Sequence, residues 1–352
     1  MTVATPPTDA SRAEPPPNEP QRAQARSRRP WSSAGIPGAP WLVSVAGMAV
    51  AVAVVIATGR PDYAQLLFQV LLTTTFAVTW NIIGGLGGQH SFAQPIFFGT
   101  GAYFGALMLM RWPGASLALV MLGSGVVAAL FAAVLTPCFR ARGPYFAILT
   151  VAVAEGLRIA TSSFGPGRTA GLYLPIKASP DDPTTLLLAL CTVALALLTF
   201  RVFERTVMGV GLRMVDVDED AAAAIGVPTL RLKIVAFIAG APFCGALGAL
   251  FAASQTFIDP NTVFNLNIAV TAILATLLGG IGTFWGPVIG SVVWELLSFQ
   301  LRDWLQQPGI ILVVNGVILL LVIDLMPRGL FGIGATVRQS RFFRATRQAG
   351  QS

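Results

Sequence analysis

Long apolar stretches alternate with short polar segments along most of this chain. Ten stretches are each apolar over roughly 17 to 24 residues, and each is long enough to cross a bilayer core about 30 Å thick as a helix. The spans are predicted near residues 41–58, 64–83, 93–110, 115–138, 144–161, 184–201, 232–253, 264–280, 284–301 and 309–326. The pattern therefore predicts an all-α integral membrane protein with about ten transmembrane helices.

The two ends of the chain are polar and basic. Residues 1–40 are rich in proline, alanine and arginine, which predicts a disordered tail. Residues 41–327 are predicted to form the membrane domain, and residues 328–352 a basic C-terminal tail. Of the 23 lysines and arginines, the ten-span alternation places six outside: Arg60, Arg111, Arg158, Arg168, Lys177 and Arg302. The other 17 fall on the opposite side, so the positive-inside rule predicts that both termini are cytoplasmic.

The composition excludes an ordinary water-soluble enzyme. Hydrophobic residues make up 54% of the chain and charged residues 11%, against roughly 25% charged in soluble domains. The basic excess lies in loops on one side, which favours contact with membrane lipid and not with nucleic acid. Cys138, Cys191 and Cys244 lie in or beside apolar runs without the spacing of a metal site or a disulfide framework, so they are interpreted as packing residues.

No residue pattern in the chain predicts a catalytic centre or a nucleotide site. A phosphate-binding loop needs a lysine after a glycine, but Lys177 follows Ile176 and Lys233 follows Leu232. The single histidine, His90, has no nucleophile motif or ligand partner nearby. We therefore expect no cofactor and no metal in this chain, which is not predicted to be an enzyme. Any ATP and Mg²⁺ would be bound by partner subunits.

A glycine-rich polar segment, residues 84–95, leads into the predicted span near 93–110. Backbone of this kind is tolerated at membrane depth only where it is buried in protein or lines a cavity, so the segment should face inward. Gln89, Ser91 and Gln94 are its candidate pathway residues.

Glycines four residues apart in two predicted spans have a simpler interpretation. Gly101 and Gly105, like Gly286 and Gly290, have the spacing of small residues through which neighbouring helices pack closely.

The predicted span near 144–161 carries an acid within an otherwise apolar helix. Glu155 lies about 11 residues from the cytoplasmic end, roughly 16 Å along the helix and thus near the midplane. Arg158, three residues later, can reach it on the same face. Tyr145, Glu155 and Arg158 are candidate pathway residues. The alternative for Glu155 and Arg158 is a purely structural ion pair. Glu295 is a weaker candidate of the same kind.

The predicted inner loop, residues 202–230, contains a short helix signal near 217–225. Asp216 is predicted to cap this helix, with Glu219 closing a capping box, Gly226 ending it and Pro228 preventing its continuation. The helix is interpreted as a docking element for a partner, and the alternative is a solvated connector. The residues assigned to this coupling role are Asp218, Glu219, Ala221, Ala222, Ala223 and Gly226.

Taken in order, these segments resemble the LivM-type permeases of branched-chain amino acid ABC transporters over roughly residues 62–330. Two matching motifs are the glycine-rich run at 87–91 and the helix start at 97–103. A third is the helix that begins at 142–147 and carries Glu155 and Arg158. The last two are Ala221, Ala222 and Gly226 before Lys233, and the glycines at 279–290. The resemblance implies the permease fold of this importer class in a bacterial cell membrane. It also implies a homologous second permease, two cytosolic ATPases and an extracytoplasmic solute-binding protein.

Three departures from the family pattern bear on the substrate. The chain has Ala93 and Gln94 where the family has Gly-His, a different outer-loop sequence at 165–172, and acids at 216, 218 and 220. The resemblance implies import of branched-chain amino acids or similar small polar solutes, with urea or short amides as the same-family alternative. An ion-coupled secondary transporter and a membrane scaffold are the alternatives from other classes.

Overall fold

The computed structural model describes residues 40–305, apart from residues 142, 168–170, 175–177 and 181. This part of the chain is mostly helical. Its helices are α1 (Pro40–Thr58), α2 (Pro61–Trp80), α3 (Gln94–Arg111), α4 (Leu117–Val134), α5 (Pro144–Phe164), α6 (Pro183–Arg205), α7 (Val207–Val217), α8 (Glu219–Ala224), α9 (Thr229–Ser254), α10 (Pro260–Val263), α11 (Asn267–Gly279) and α12 (Trp285–Leu305). A π-helical turn, Asn81–Gly85, extends α2, and a 3₁₀ turn, Thr136–Arg140, follows α4.

Seven of these helical segments are long and apolar enough to cross a membrane. They are Trp41–Thr58, Pro61–Gly85, Leu117–Arg140, Pro144–Phe164, Pro183–Arg205, Thr229–Ser254 and Pro260–Gly279. The chain is thus a multi-pass membrane protein. The count of ten stays a prediction, because α3 and α12 are not among the seven and the span near 309–326 lies outside the described residues. The tails at 1–39 and 328–352 also lie outside them.

The interior is organised around α9, which packs most extensively against α3 and α4. Small residues allow this contact: a methyl group on Gly101 would overlap the backbone of Gly245, and one on Gly105 would lie 2.6 Å from Cβ of Ala249. Gly286 and Gly290 likewise contact the backbone of α11. The packing interpretation of these glycine pairs is confirmed. Close backbone approach is the main source of van der Waals contact between helices in lipid.

Several helices begin with residues suited to a first turn. Proline stands at N1 or N2 of α2, α3, α5, α6 and α10, where its missing N–H removes a donor that has no helical acceptor. Ser116 caps α4 by accepting a hydrogen bond from the N–H of Leu119, and Asp182 caps α6 by accepting one from Thr184. These polar caps fix the places where the chain leaves the apolar layer.

A small sheet joins two loops that the sequence predicts on the outer side. Strand β1 (Leu172–Tyr173) pairs antiparallel with β2 (Phe257–Ile258). The pairing continues through hydrogen bonds from the N–H of Leu174 to the carbonyl of Thr256, and from Ala178 to Ala253. This sheet is a small departure from the predicted all-α fold, and it ties the loop before α6 to the end of α9.

Candidate functional site

A buried asparagine holds the glycine-rich loop between α11 and α12. Asn81 opens the π-helical turn and has no exposed surface. Its Oδ1 accepts a hydrogen bond from the N–H of Gly282 at 2.9 Å, and its Nδ2 donates to the carbonyl of Thr283 at 2.9 Å. A π-helical turn is rare and turns side chains away from the regular helix register. We call this pair of bonds the Asn81 clasp.

The polar segment that follows is buried, as its backbone requires. The indole N–H of Trp80 donates to the carbonyl of Ser91 at 2.9 Å, and the Ser91 hydroxyl accepts from the N–H of Ala93. Gln89 and Gln94 are buried too, and within the described residues Nε2 of Gln89 and Oε1 of Gln94 have no hydrogen-bond partner. Gln94 lines only a void of about 10 Å³. No room for a solute exists there in this conformation.

The same segment rests on the inner helix α7. Gly88 adopts a positive φ of 63°, and a side chain at this position would overlap the carboxylate of Asp216. A methyl group on Gly87 would lie 3.1 Å from the side chain of Leu212. Two segments that the sequence predicts on the inner side therefore pack directly against each other.

The predicted inner loop contains two helices where the sequence indicated one. The amphipathic α7 precedes α8, and α8 begins at Glu219. The prediction that Asp216 caps the short helix was wrong, because Asp216 lies within α7. Asp218 is the cap, and its Oδ1 accepts from the N–H groups of Asp220 and Ala221 at 3.0 Å each. The chain must leave α7 before a new cap can form, and Asp218 is the residue with extended backbone.

Helix α8 ends as predicted and is attached to α9 by a partly buried ion pair. Gly226 has a φ of 89°, and the N–H groups of Gly226 and Val227 donate to the carbonyls of Ala223 and Ala222, which is the Schellman arrangement. The predicted box partner Glu219 instead pairs with Lys233, with Nζ and Oε2 2.6 Å apart. The Lys233 side chain is only 3% exposed, so this bond holds α8 against the start of α9.

The side chains of α8 divide into an inner and an outer face. Ala222 is 3% exposed and packs against this chain, whereas Ala221, Ala223 and Ala224 are exposed. Ile225, at the end of the helix, is 72% exposed. Only the exposed residues of the predicted coupling set are available to a partner.

A polar cavity of about 490 Å³ lies between α2, α11 and α12. Its lining side chains are Gln69, Leu72, Thr73, Phe76, Asn261, Thr262, Asn265, Asn267, Ile268, Thr271, Trp294, Glu295 and Ser298. Glu295 is 5% exposed, and the Thr73 hydroxyl donates to its Oε1 at 2.6 Å. We call this space the α2–α12 cavity. A buried carboxylate within a predicted transmembrane helix is a functional candidate by default.

Glu155 and Arg158 form the ion pair that their spacing predicted, and the pair borders this cavity. Nε of Arg158 lies 3.0 and 2.9 Å from the two carboxylate oxygens of Glu155. Arg158 also donates through Nη1 to the side-chain oxygen of Asn261, a cavity residue. Glu155 itself is not a lining residue. The pair therefore lies beside the cavity at Asn261, with both side chains partly exposed.

The predicted pathway residues do not meet at one place. Gln89, Ser91 and Gln94 are buried near Trp80 and Thr79, Glu155 and Arg158 border the cavity, and Tyr145 is 73% exposed on α5.

Sequence reasoning missed most of the cavity. Gln69 and Thr73 lie four residues apart on one face of α2, and three asparagines precede or begin α11, so two local signals existed. Neither signal shows that these segments meet Glu295, which only the packing of α2 against α12 brings about.

Apolar helices around a polar cavity, with a capped helix outside the bundle, define a multi-pass membrane protein of the transport class. The chain matches the family described as "Branched-chain amino acid transport system / permease component" over residues 62–323, and it belongs to that family.

Two kinds of curated relatives match the chain. The high-affinity branched-chain amino acid transport system permease protein LivM of Escherichia coli (strain K12) is 26% identical over 322 residues, covering 82% of this chain and 74% of that protein. LivM of Salmonella typhimurium (strain LT2) is 25% identical over the same shares. The permease protein LivH of Escherichia coli (strain K12) is 29% identical over 147 residues, covering 39% of this chain and 44% of that protein. These relatives are permease subunits of transport systems and not enzymes. No solved structure matches the chain.

Proposed function

We propose that this chain is the membrane-spanning permease subunit of an ATP-binding cassette importer, which carries branched-chain amino acids or similar small polar solutes into the cytoplasm. Beyond the family, the observation that carries the proposal is helix α8: it is capped, ends sharply and is fixed to α9 by the Glu219–Lys233 pair. Such a helix can transmit force, whereas a solvated connector would need no ion pair with a buried lysine. ATP and Mg²⁺ belong to two cytosolic ATPase subunits in this proposal.

The proposed assembly contains a second permease and an extracytoplasmic solute-binding protein. Similarity to proteins named LivM and LivH supports a pair of related permeases, since both occur as permeases of one kind of transport system. The exposed apolar side chains of α4 and α5, among them Leu122, Val134 and Ile148, face lipid or that second permease.

The proposed topology has ten spans with both termini in the cytoplasm. Contacts among described residues support it, because segments assigned to one side meet: β1 meets β2 outside, and Gly88 meets Asp216 inside. Single cysteines at Tyr173 and Ala223, both exposed, should react with an impermeant reagent from opposite sides. Labelling of both from outside would exclude this topology.

The contacts also suggest how ATP hydrolysis reaches the pathway. Movement of α8 would displace α7, whose Asp216 and Leu212 touch the glycine-rich segment. That segment continues from the Asn81 clasp, which holds the loop at 280–283. In this proposal the Asn81 clasp closes the inner end of the α2–α12 cavity, and release of the solute requires the clasp to open.

The predicted pathway residues take different parts in this proposal. Gln89, Ser91 and Gln94 lie along the inner portion, which is closed here and must open for release. Glu155 and Arg158 lie beside the cavity at Asn261, on the predicted outer side. Tyr145 lies on the exposed face of α5.

The test of the proposal is a substitution on the exposed face of α8. Ala223→Arg keeps helix propensity but adds bulk and charge where a close protein interface has no space. Leucine uptake and leucine-stimulated ATP hydrolysis should fall at least tenfold in proteoliposomes that contain all subunits, and copurification of the ATPases should weaken. Ala223→Ser is the matched control and should retain uptake. Ala222 is unsuitable for this test because it packs against its own chain.

Two results would contradict the proposal. Unchanged uptake with bound ATPases in Ala223→Arg would make α8 a connector. Uptake without ATP that an ionophore abolishes would favour an ion-coupled secondary transporter, and preferred uptake of urea or acetamide would identify the amide alternative within the family.

A further inference from the structure

Arg201 lies where the C-terminal end of α6 meets the loop between α11 and α12, residues 280–284. We propose that Arg201 is a positioning residue that transmits movement of α7 to this loop, by a route separate from the contact between Gly88 and Asp216. We call this connection the Arg201 link. It rests on the proposed function and adds to it a second path from the inner helices to the Asn81 clasp.

The first part of the link joins α7 to the last turn of α6. Only Thr206 separates the two helices, and its N–H donates to the carbonyls of Val202 and Phe203. Gly209 of α7 lies against the same turn, where an added methyl group would overlap the carbonyl of Phe203. Backbone packed this closely leaves little room for one helix to pivot on the other. The last turn of α6 should therefore move with α7.

The second part is an ion pair on that turn. Arg201 and Glu204 are three residues apart on one face of α6, and Nη1 of Arg201 contacts Oε2 of Glu204. Both side chains are only 12% exposed, so the loss of either would leave the other charge poorly hydrated. Nη2 of Arg213, on α7, lies 3.9 Å from Oε1 of Glu204. Glu204 thus connects the guanidinium of Arg201 to both helices.

The third part is the contact of Arg201 with the loop. Cζ of Arg201 lies 5.9 Å from the centre of the Phe284 ring, within cation–π distance. Phe284 is 5% exposed and also packs against Phe200, with the ring centroids 6.1 Å apart. Nε of Arg201 is buried and has no hydrogen-bond partner among the described residues. In this part of the chain, Nε therefore gives no further anchor to hold the guanidinium back when Glu204 moves.

Phe284 connects the link to the Asn81 clasp. It directly follows Thr283, whose carbonyl accepts the hydrogen bond from Nδ2 of Asn81. Gly282, whose N–H donates to Oδ1 of Asn81, is two residues before Phe284. A displacement of the Phe284 ring would therefore change the geometry of both clasp bonds. The Gly88 contact reaches the same clasp from the side of α2, so the two paths converge there.

The test measures movement of the loop in the complete importer. Ile281 lies in the loop and is 42% exposed, so Ile281→Cys should react with N-ethylmaleimide after Cys138 and Cys191 are replaced by serine. Trapping the ATPases with ATP and vanadate should change the rate of this reaction. Arg201→Met should reduce that change about threefold or more, because a cation–π contact accounts for an equilibrium factor of about 3–30. It should leave the rate in the nucleotide-free complex nearly unchanged, whereas a merely structural role would alter that rate.

Controls and a second variant keep the link falsifiable. Arg201→Lys keeps a cation that can lie over the ring, so it should restore part of the response to trapping. Arg205→Met replaces an exposed arginine of the same turn and should keep all of it. If Arg201→Met does not assemble, Phe284→Leu decides, because it removes the ring and keeps apolar bulk. An unchanged response in the deciding variant overturns the link.

Parallel measurement of ATP-driven leucine uptake separates the link from the proposed function. If the unmodified complex imports leucine but Ile281→Cys shows no nucleotide-dependent change, the link alone is refuted. The same conclusion follows if leucine is imported and Arg201→Met responds to trapping as the unmodified chain does. Absence of ATP-driven uptake in the unmodified complex would refute the proposed function, and the link with it.

Discussion

The Asn81 clasp should be required for stability and for closure of the inner end of the α2–α12 cavity. The two bonds of Asn81 link the end of α2 to the loop between α11 and α12, five residues after Phe76, the last residue of α2 that lines the α2–α12 cavity. Asn81→Ala removes both bonds without adding bulk. We expect a less stable protein in which the inner closure fails.

The magnitude follows from the two backbone groups that the substitution leaves without a partner. A hydrogen bond contributes about 0.5–1.5 kcal/mol to stability, so the loss of both bonds should cost about 1–3 kcal/mol, because Gly282 and Thr283 are partly exposed and water can replace part of the interaction. Thr276→Val is the matched control on the neighbouring contact. The Thr276 hydroxyl donates to the carbonyls of Ala77 and Ala272, which lie within helices, so its loss should cost only about 0.5–1.5 kcal/mol.

The assay combines stability with leakage. In Asn81→Ala the apparent Tm of the purified importer should fall by several degrees, and preloaded radiolabelled leucine should leave proteoliposomes without ATP. Thr276→Val should keep a Tm near that of the unmodified protein and should retain its leucine. If the two variants have the same Tm and neither leaks, the clasp does not close the pathway.

Two further predictions concern the connection between α8 and the glycine-rich segment. Gly88→Ala should abolish coupled uptake, because the added methyl group strains a backbone of positive φ and displaces Asp216. The double variant Gly88→Ala with Asp216→Ala should recover part of the uptake. Full activity of Gly88→Ala alone would contradict the contact. Glu219→Gln should impair coupling more than Lys233→Met, because it leaves the buried Lys233 ammonium without a counter-charge, whereas Glu219 is 27% exposed and can be hydrated. The double variant should recover coupling relative to Glu219→Gln, as measured by leucine transported per ATP, and equal loss in both single variants would count against the ion pair.

Features that depend on neighbouring residues could be predicted from the sequence. Apolar run length determined the helices, and eight of the nine predicted spans within the described residues match a single helix to within a few residues; the span near 264–280 is divided between α10 and α11. The Glu155–Arg158 pair and the helix stop at Gly226 depend on spacings of a few residues, and both formed as expected. The position of the helix cap was predicted wrongly. Several neighbouring acids can each cap a helix, and the residue at which α7 ends selected Asp218 over Asp216.

The candidate site could not be read from the sequence, since distant segments form it. The bond between Asn81 and Gly282 joins residues 201 apart, and the bond between Thr73 and Glu295 joins residues 222 apart. The close approach of α11 to α12 depends on small residues, such as Gly279 against Gly286. Local sequence features were sufficient to predict a membrane protein, its helices and its family resemblance. Helix packing alone decided where polar side chains converge, because apolar length places a helix in lipid but does not select the partner for each of its faces.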